Sequence, residues 1–368
     1  MNLSSCRIPL WAAASLALLV AGVHPAGAQS VDWRTRATFY GDNTEFFTPF
    51  RTGETILGAQ FSTFLDIQPT RRTRIQAGVF GDLRFGSDEF LDPVKPILSF
   101  RYQTPATLGV LGTLETVNRH GYLEPLEVTT LEFTRPIEYG AQLIQRRRYW
   151  DMDLFLDWQG LNTPDSREVF NYGLVLRGLP ASFLTLEFQF HGLHNGGQLF
   201  DAGVPVTNNT NSAIGATLGR RLGVLGESSL AAFYLSSKGH IDPAFPAGRP
   251  DRGHGTYLRG SIAPKGAVEV FGIYWMGRDY HTDEGDPNYN SAGVSDTVYR
   301  SRRRYFELGV ARRTRIDSRV ELDAEFRLHR VDDEVSEALF DSKWEYSYRL
   351  VVRVPLDFRV KTDDAATQ

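Results

Sequence analysis

The sequence predicts an all-β protein, specifically a transmembrane antiparallel up-and-down β-barrel of about sixteen strands. Three observations predict this fold. Long segments alternate strictly between apolar and polar residues, the connections between them are short and long in turn, and no apolar run beyond the N-terminal region is long enough for a membrane helix.

The alternation is clearest at residues 319–329, RVELDAEFRLH, where every even-numbered position is apolar and every odd-numbered position is polar or charged. A period of two puts the two sets on opposite faces of a strand, whereas a helix would scatter them. Soluble strands typically have about 5 to 6 residues, but a tilted membrane strand needs roughly 9 to 11. We therefore expect Ala324 to face lipid near the strand centre and Asp323 to face a lumen.

The N-terminus has the layout of a secretory signal peptide. Arg7 precedes the apolar run 11–23, and a small-residue Ala-Gly-Ala site follows. The expected parts are a signal peptide at 1–28, an outer-membrane barrel at 29–358 and a short polar tail at 359–368. The single cysteine, Cys6, precedes the apolar run, so the exported chain is expected to be stabilised without disulfides.

The charge balance excludes one class of function. With 40 Lys and Arg against 44 Asp and Glu, the net charge is −4, and the signs are mixed along the chain. This is not the basic footprint of a nucleic-acid-binding protein. A membrane role would have to be carried by strands, because helices are excluded by the lack of long apolar runs.

The first eight predicted strands show the two-faced pattern best around the turn at residues 68–71. On either side of it, Leu65 and Ile75 continue apolar series that alternate with polar residues, which is typical of a hairpin. Later in this half, three aspartates oppose an apolar series in residues 151–159. The eight segments are 33–40, 54–66, 72–84, 97–102, 107–116, 137–145, 151–159 and 169–179.

The second eight strands have the same period and end at connections rich in Gly, Pro, Asn and Asp. They are predicted at 182–191, 211–219, 228–236, 255–262, 267–276, 303–312, 319–329 and 344–358. Every even-numbered strand is followed by a short turn and every odd-numbered one by a longer loop. An even strand number with this alternation, and aromatic residues near strand ends, are typical of bacterial outer-membrane barrels. A soluble β-sandwich also alternates, but it has seven to nine strands.

In this architecture the chain resembles the outer-membrane porins of the general sixteen-stranded type. The resemblance implies that the third long loop, residues 117–135, folds into the lumen, with Glu124, Glu127, Glu132 and Arg135 as candidate constriction residues. The loop lacks the Pro-Glu-Phe-Gly-Gly signature of classical porins. The final strand would end on Phe358, although the family usually ends its chain on such an aromatic residue and here ten residues follow it.

The polar faces of the strands supply the candidate pore lining. The predicted pore-lining residues are Arg72, Arg74, Asp82, Arg84, Asp153, Asp157, Arg259, Glu321, Asp323, Glu325 and Arg327. Their mixed charges favour a hydrated and weakly selective interior over an ion-selective one. The predicted function is a porin-like channel for small hydrophilic solutes. The alternatives are a conduit exporting a polysaccharide or lipid, and a plugged structural or adhesive barrel.

Candidate catalytic and metal sites are weak in the sequence. His191 and His194 are interpreted as a solvated loop pair, and Asp283, Glu284 and Asp286 as unpaired surface carboxylates, because neither set has metal-site spacing. His329 is close in sequence to Glu325 and Asp323, but alternation makes them lumen neighbours. No Gly-x-Ser-x-Gly occurs. We therefore expect no enzymatic activity and no cofactor.

Expected partners are outer-membrane lipid and lipopolysaccharide, the barrel assembly machinery and, in one interpretation, two further copies in a homotrimer, with no nucleic acid.

Overall fold

The computed structural model describes residues 30–362 except 89–90, 92, 201–202, 204, 242–248, 265–267, 295–297, 318 and 332–343. The predicted signal peptide and the last six residues of the predicted tail lie outside the described residues. Within the described chain, no helix is long and apolar enough to cross a membrane.

Sixteen antiparallel strands close into a single barrel, so the predicted fold class is confirmed. The strands are β1 (Ser30–Glu45), β2 (Glu54–Gln68), β3 (Thr73–Arg84), β4 (Val94–Gln103), β5 (Thr107–Thr113), β6 (Tyr139–Arg146), β7 (Trp150–Gly160), β8 (Glu168–Ala181), β9 (Leu184–Gly196), β10 (Thr207–Arg221), β11 (Glu227–Lys238), β12 (Arg252–Ala263), β13 (Glu269–Arg278), β14 (Arg302–Arg315), β15 (Glu321–Val331) and β16 (Glu345–Thr362). The described residues add one α-helical turn, α1 (Leu131–Thr134), and short 3-10 turns.

Each strand pairs with its neighbours in sequence, and β16 returns to pair with β1. The seam joins Ser30 to Thr362 at one end and Glu45 to Tyr346 at the other. β16 therefore continues past Phe358, the predicted end of the barrel, because the first residues of β1 would otherwise present an unpaired edge.

The strand faces have opposite environments. On β15, Phe326 is 45% exposed on the outer wall, whereas the lumen-facing His329 is 2% exposed. Large apolar residues form a continuous outer band, which in water would be an unusually large apolar patch. The band includes Phe39, Leu57, Phe61, Leu98, Leu111, Leu154, Ile214, Leu230, Val310, Phe326 and Leu350. Exposed aromatic residues such as Trp33, Tyr102 and Tyr346 lie near strand ends, as in interfacial girdles.

One side of the lumen is apolar, which the charge pattern did not predict. Inward-facing side chains of β11 to β15 pack with loop residues into a buried cluster that includes Phe50, Leu126, Phe233, Leu235, Tyr257, Phe271, Ile273, Trp275, Tyr280, Tyr289 and Tyr305. Glycines make room for the rings, since a Cβ on Gly255 would lie 2.0 Å from Trp275 and one on Gly309 would lie 2.1 Å from Phe271. The interior is therefore not uniformly hydrated.

Candidate functional site in the barrel lumen

The connection between β5 and β6, residues 114–138, folds into the lumen and is called inner loop A. It contains α1, whose Phe133 is fully buried and stacks on Tyr40 of β1 with the ring centroids 4.6 Å apart. At its other end, Tyr122 Oη donates to the backbone carbonyl of Phe190 on β9, at 2.7 Å. Inner loop A thus spans the lumen between strands that are far apart around the barrel.

Three of the four predicted constriction residues join inner loop A to the barrel or to another loop. Glu124 lies 2.7 Å from Arg327 of β15, and Arg135 Nη2 donates to Glu284 at 2.9 Å. Glu132 is paired with Arg353 of β16, which also holds the predicted pore residue Asp323. Burial raises the pKa of Glu124 to about 7, although Arg327 opposes that rise.

The fourth constriction residue, Glu127, belongs to a buried network within inner loop A. It pairs with Arg119, which also pairs with Glu138. His120 bridges Glu138 and Asp153 of β7, with its Nε2 at 2.9 Å and its Nδ1 at 3.0 Å from their carboxylates. Burial alone would lower the pKa of His120, but the two hydrogen-bonded carboxylates outweigh it and raise the pKa to about 9. The imidazolium thus fixes the loop to the wall.

The β13–β14 connection, residues 279–301, is called inner loop B, and its described residues around Glu284 and Asp286 also fold inward. The interpretation of its carboxylates as unpaired surface groups is wrong. Glu284 is 9% exposed, accepts from Asn171 at 2.9 Å and lies 3.3 Å from His191, while Asp286 pairs with Arg51. Burial would raise the pKa of Glu284, but Arg135 and His191 hold it well below its usual range.

The two histidines interpreted as a loop pair both lie in β9, so that interpretation is also wrong. His191 faces the lumen and is 1% exposed. His194 Nδ1 lies 2.8 Å from Asn208 Oδ1 on β10. Among the described residues, no group of three or more His, Cys, Asp or Glu is arranged to hold a metal ion.

Most predicted pore-lining residues lie on the inner faces of strands, in ion pairs. Asp82 pairs with Arg84 at 2.9 Å and Arg259 with Glu269 at 2.6 Å. The inward-facing set is Arg74, Asp82, Arg84, Asp153, Asp157, Arg259, Glu321, Asp323, Glu325 and Arg327. Arg72 differs, because it is exposed in the turn before β3.

A hydrogen-bonded chain of four side chains crosses β16, β15 and β14 near the long-loop end of the lumen. Ser347 Oγ lies 2.8 Å from His329 Nε2, and His329 Nδ1 lies 2.5 Å from Tyr305 Oη. Tyr305 Oη donates to Glu307 Oε2 at 2.8 Å. We call this chain the serine relay.

Glu307, the last member of the serine relay, determines where the protons of the relay lie. An ionised Glu307 can only accept, so the single hydroxyl proton of Tyr305 is donated to it. In a neutral His329, Nδ1–H then donates to Tyr305 Oη, and the unprotonated Nε2 can accept the proton of Ser347. This is the tautomer that a histidine general base requires next to a serine nucleophile.

Two guanidinium groups flank Ser347 on the lumen face. Arg327 is its cross-strand partner on β15, and Arg349 is the next inward position of β16. Arg327 also lies 3.0 Å from Glu307, so it holds the last member of the relay. The adjoining pocket of about 20 Å³ includes Thr129 and Thr130 of inner loop A. A pocket of this size holds about one water molecule.

The sequence analysis did not single out Ser347 or Glu307, and it interpreted His329 as a neighbour of Glu325 and Asp323. A signal was nevertheless present. Alternation places Ser347 on the lumen face between Tyr346 and Tyr348, and the β14–β15 hairpin places Glu307 opposite His329. Recovering the relay required the register of two successive hairpins, which composition and period do not fix.

The fold is similar to solved outer-membrane barrels. OmpT of Vibrio cholerae (in-vitro folded, trimer form) aligns with TM-score 0.51 and 9% identity over 89% of this chain and 99% of that one. OccAB1 of Acinetobacter baumannii aligns with TM-score 0.50 and 9% identity over 91% of this chain and 99% of that one.

No curated protein matches. The model of a family described as lipid A 3'-O-deacylase-type matches residues 23–363. The prediction of no enzymatic activity is therefore wrong, because that description is of an enzyme.

Proposed function

Since the chain belongs to the lipid A 3'-O-deacylase-type family, we propose that it is an outer-membrane hydrolase that cleaves an ester-linked acyl chain of lipid A. The serine relay is the observation that carries this proposal, because it joins a nucleophile, a base in the correct tautomer and an orienting carboxylate. The exposed apolar band supports the membrane location.

In the proposed reaction, Ser347 Oγ attacks the ester carbonyl while His329 Nε2 takes the hydroxyl proton. The tetrahedral oxyanion forms beside Arg327 and Arg349, whose charges oppose its negative charge. Collapse breaks the ester bond, and His329 returns the proton to the departing sugar hydroxyl. Water, activated by the same imidazole, then hydrolyses the acyl-serine and releases the fatty acid.

Access to the relay is from the long-loop end. Ser347 is the third residue of β16, and His329 lies two residues before the end of β15. The pocket at present admits only a water-sized guest, since inner loop A covers it with Thr129 and Thr130. Substrate entry therefore requires that inner loop A move, and its ion pairs to Arg327 and Arg353 resist that movement.

The test is fatty-acid release from lipid A in mixed micelles by the refolded chain. Ser347→Ala is expected to lower kcat by roughly 10³-fold or more. Glu307→Gln is expected to lower kcat with little change in KM, because Tyr305, which accepts from the imidazole, loses the carboxylate that fixes its own hydroxyl proton. Ser212→Ala is the matched control, since this serine bonds Ser236 away from the relay. Full activity of a correctly folded Ser347→Ala barrel would refute the relay.

A second candidate function is the passage of small hydrophilic solutes through the lumen. It is supported by a cavity of about 900 Å³ on the short-turn side of inner loop A, lined by charges of both signs that include Arg101, Glu115 and Arg353. Above it, both inner loops fill the lumen. Conduction would therefore depend on their displacement.

Planar-bilayer recording separates this candidate from a sealed barrel. Deleting residues 122–134 removes Glu124 and Glu132 with their ion pairs, so conductance is expected to increase and any cation preference to weaken. Deleting residues 162–165 of the exposed β7–β8 connection is the control. A conductance that stays unchanged when inner loop A is shortened would exclude the loop as the constriction.

A further inference from the structure

We propose that a groove on the outer wall at the long-loop end binds the phosphate groups of an anionic membrane lipid. The groove has a volume of about 770 Å³ and crosses β12 to β15. Besides the buried Arg303, its arginines are Arg278, Arg300, Arg302, Arg304 and Arg330. This site lies on the opposite face of the wall from the serine relay, and the inference holds whether or not the chain is a hydrolase.

Strand parity places these arginines outside the barrel. On β14 the inward positions Arg303 and Tyr305 are each 1% exposed, whereas Arg302 and Arg304, which alternate with them along the strand, are exposed. Arg303 is held inside by the backbone carbonyl of Asn288, at 3.2 Å, and by the ring of Phe50. The outer arginines are therefore not components of the lumen network.

The register brings like charges together. Arg278 of β13 and Arg302 of β14 are direct cross-strand partners, and Arg304 is the next outward position. Like charges directly opposite one another destabilise a strand pair. In the part of the chain that the structure describes, the ion pair of Arg278 is with Asp279 at 3.7 Å, and none is found for Arg302. An anion between the two guanidinium groups would remove this repulsion.

The lower part of the groove indicates a lipid instead of a free ion. Tyr274, Met276 and Phe306 line it, and Met276 is 43% exposed on the outer wall. Arg304 stands directly opposite Met276, and Phe306 opposite Tyr274. The groove thus has guanidinium groups at the level of lipid headgroups and an apolar wall at the level of acyl chains. Bidentate arginine contacts suit phosphate at such a boundary.

Binding is measured by tryptophan fluorescence of the refolded full chain in neutral detergent micelles, titrated with diphosphorylated lipid A. Every protein carries Ser347→Ala, so turnover does not consume the probe. Any binding of lipid A in the lumen is common to all variants, so the difference between them reports on the outer groove alone. Arg278→Gln with Arg302→Gln is expected to weaken binding roughly 30-fold. The matched control is Arg220→Gln with Arg312→Gln, two exposed outward arginines at the short-turn end.

Dephosphorylated lipid A is expected to bind weakly and equally to both double variants. An unchanged affinity in the Arg278/Arg302 variant would overturn the proposal, as would an equal loss in the control, which would indicate general charge attraction. Complete displacement of the lipid by millimolar inorganic phosphate would also overturn it, because the site would then recognise a free ion.

Discussion

At the scale of single residues, the lumen stabilises its charges by pairing them. Arg327 illustrates this, with Glu124, Glu307 and Glu325 all within 3.0 Å of its guanidinium nitrogens. A buried charge without a partner costs several kcal/mol, so each member of such a cluster depends on the others. The inner loops are therefore held in the lumen by electrostatics as well as by apolar contacts.

His120 makes that attachment dependent on pH. Its pKa of about 9 in the folded chain exceeds the ordinary value of 6.5, so the charged form stabilises the docked loop. That contribution is complete below about pH 6.5, is lost as pH rises through 9, and is on the order of 3 kcal/mol. Hydrogen exchange of residues 114–138 is expected to accelerate between pH 7 and 10.

His120→Gln is the comparison for this prediction, because glutamine keeps hydrogen-bonding capacity but does not titrate. Its loop exchange, corrected for the intrinsic effect of pH on amide exchange, is expected to be faster at pH 6.5 and flat above it. A wild-type profile that is also flat after that correction would show that His120 does not hold the loop.

The sequence identified inward residues better than it identified their partners. Alternation alone assigns Glu325 and Arg327 to the lumen, because the pleat fixes the direction of side chains along a strand. It does not show that Glu124, some 200 positions away, completes their cluster. Such a contact depends on the path of inner loop A, for which no periodic signal exists.

At the scale of elements, the strands and the inward fold of inner loop A were predicted, whereas the path of inner loop B was not. Asp286 of inner loop B was interpreted as an unpaired surface carboxylate, but it is 6% exposed and Asn288 beside it is fully buried. Polar composition was mistaken for exposure. In a barrel, a polar loop can be buried when lumen charges such as Arg51 and Arg135 satisfy its carboxylates.

Cysteine labelling tests the path of inner loop B. Asp286→Cys is expected to resist an impermeant thiol reagent on intact cells, since the side chain is enclosed beside Arg51. Asp165→Cys, in the exposed β7–β8 connection, is expected to react readily. Fast labelling at position 286 in a folded barrel would mean that inner loop B lies outside the lumen.

The cross-strand partners of β15 residues indicate how deep each residue lies in the membrane. Ala324 was expected to be near the strand centre, but its partner on β14 is Arg312, whose exposed guanidinium suits the headgroup level. Phe326, flanked by Val310 and Tyr348, is the deeper position. Phe326→Arg is expected to cost about 2–4 kcal/mol of unfolding free energy, and Ala324→Arg about 0–1. Refolding titrations in lipid vesicles measure both, and equal costs would contradict this depth.

At the scale of the whole molecule, closure distinguishes this fold from an open sheet. The even strand count and the alternating connections predicted closure. With sixteen strands the chain ends on the short-turn side, where it also began, so β16 can pair with β1. The extent of the seam was harder to predict. The polar residues Arg359 and Lys361 resembled a tail, although Val360 continues the outward apolar series and is 60% exposed.

The pairing of β1 with the last residues of β16 is expected to stabilise the barrel. Truncation after Phe358 removes the pairing of Ser30, Val31 and Asp32 with β16, including the 3.0 Å contact between Arg359 and Asp32. That contact is exposed and contributes little, so most of the loss is ladder hydrogen bonds, about 2 kcal/mol in total. Truncation after Thr362 is the control, because it keeps every seam pair. Urea unfolding in vesicles and the migration of unheated samples in electrophoresis compare the two. Equal stability would show that residues 359–362 are a tail, whereas selective loss in the shorter chain would show that closure extends to the end of β16.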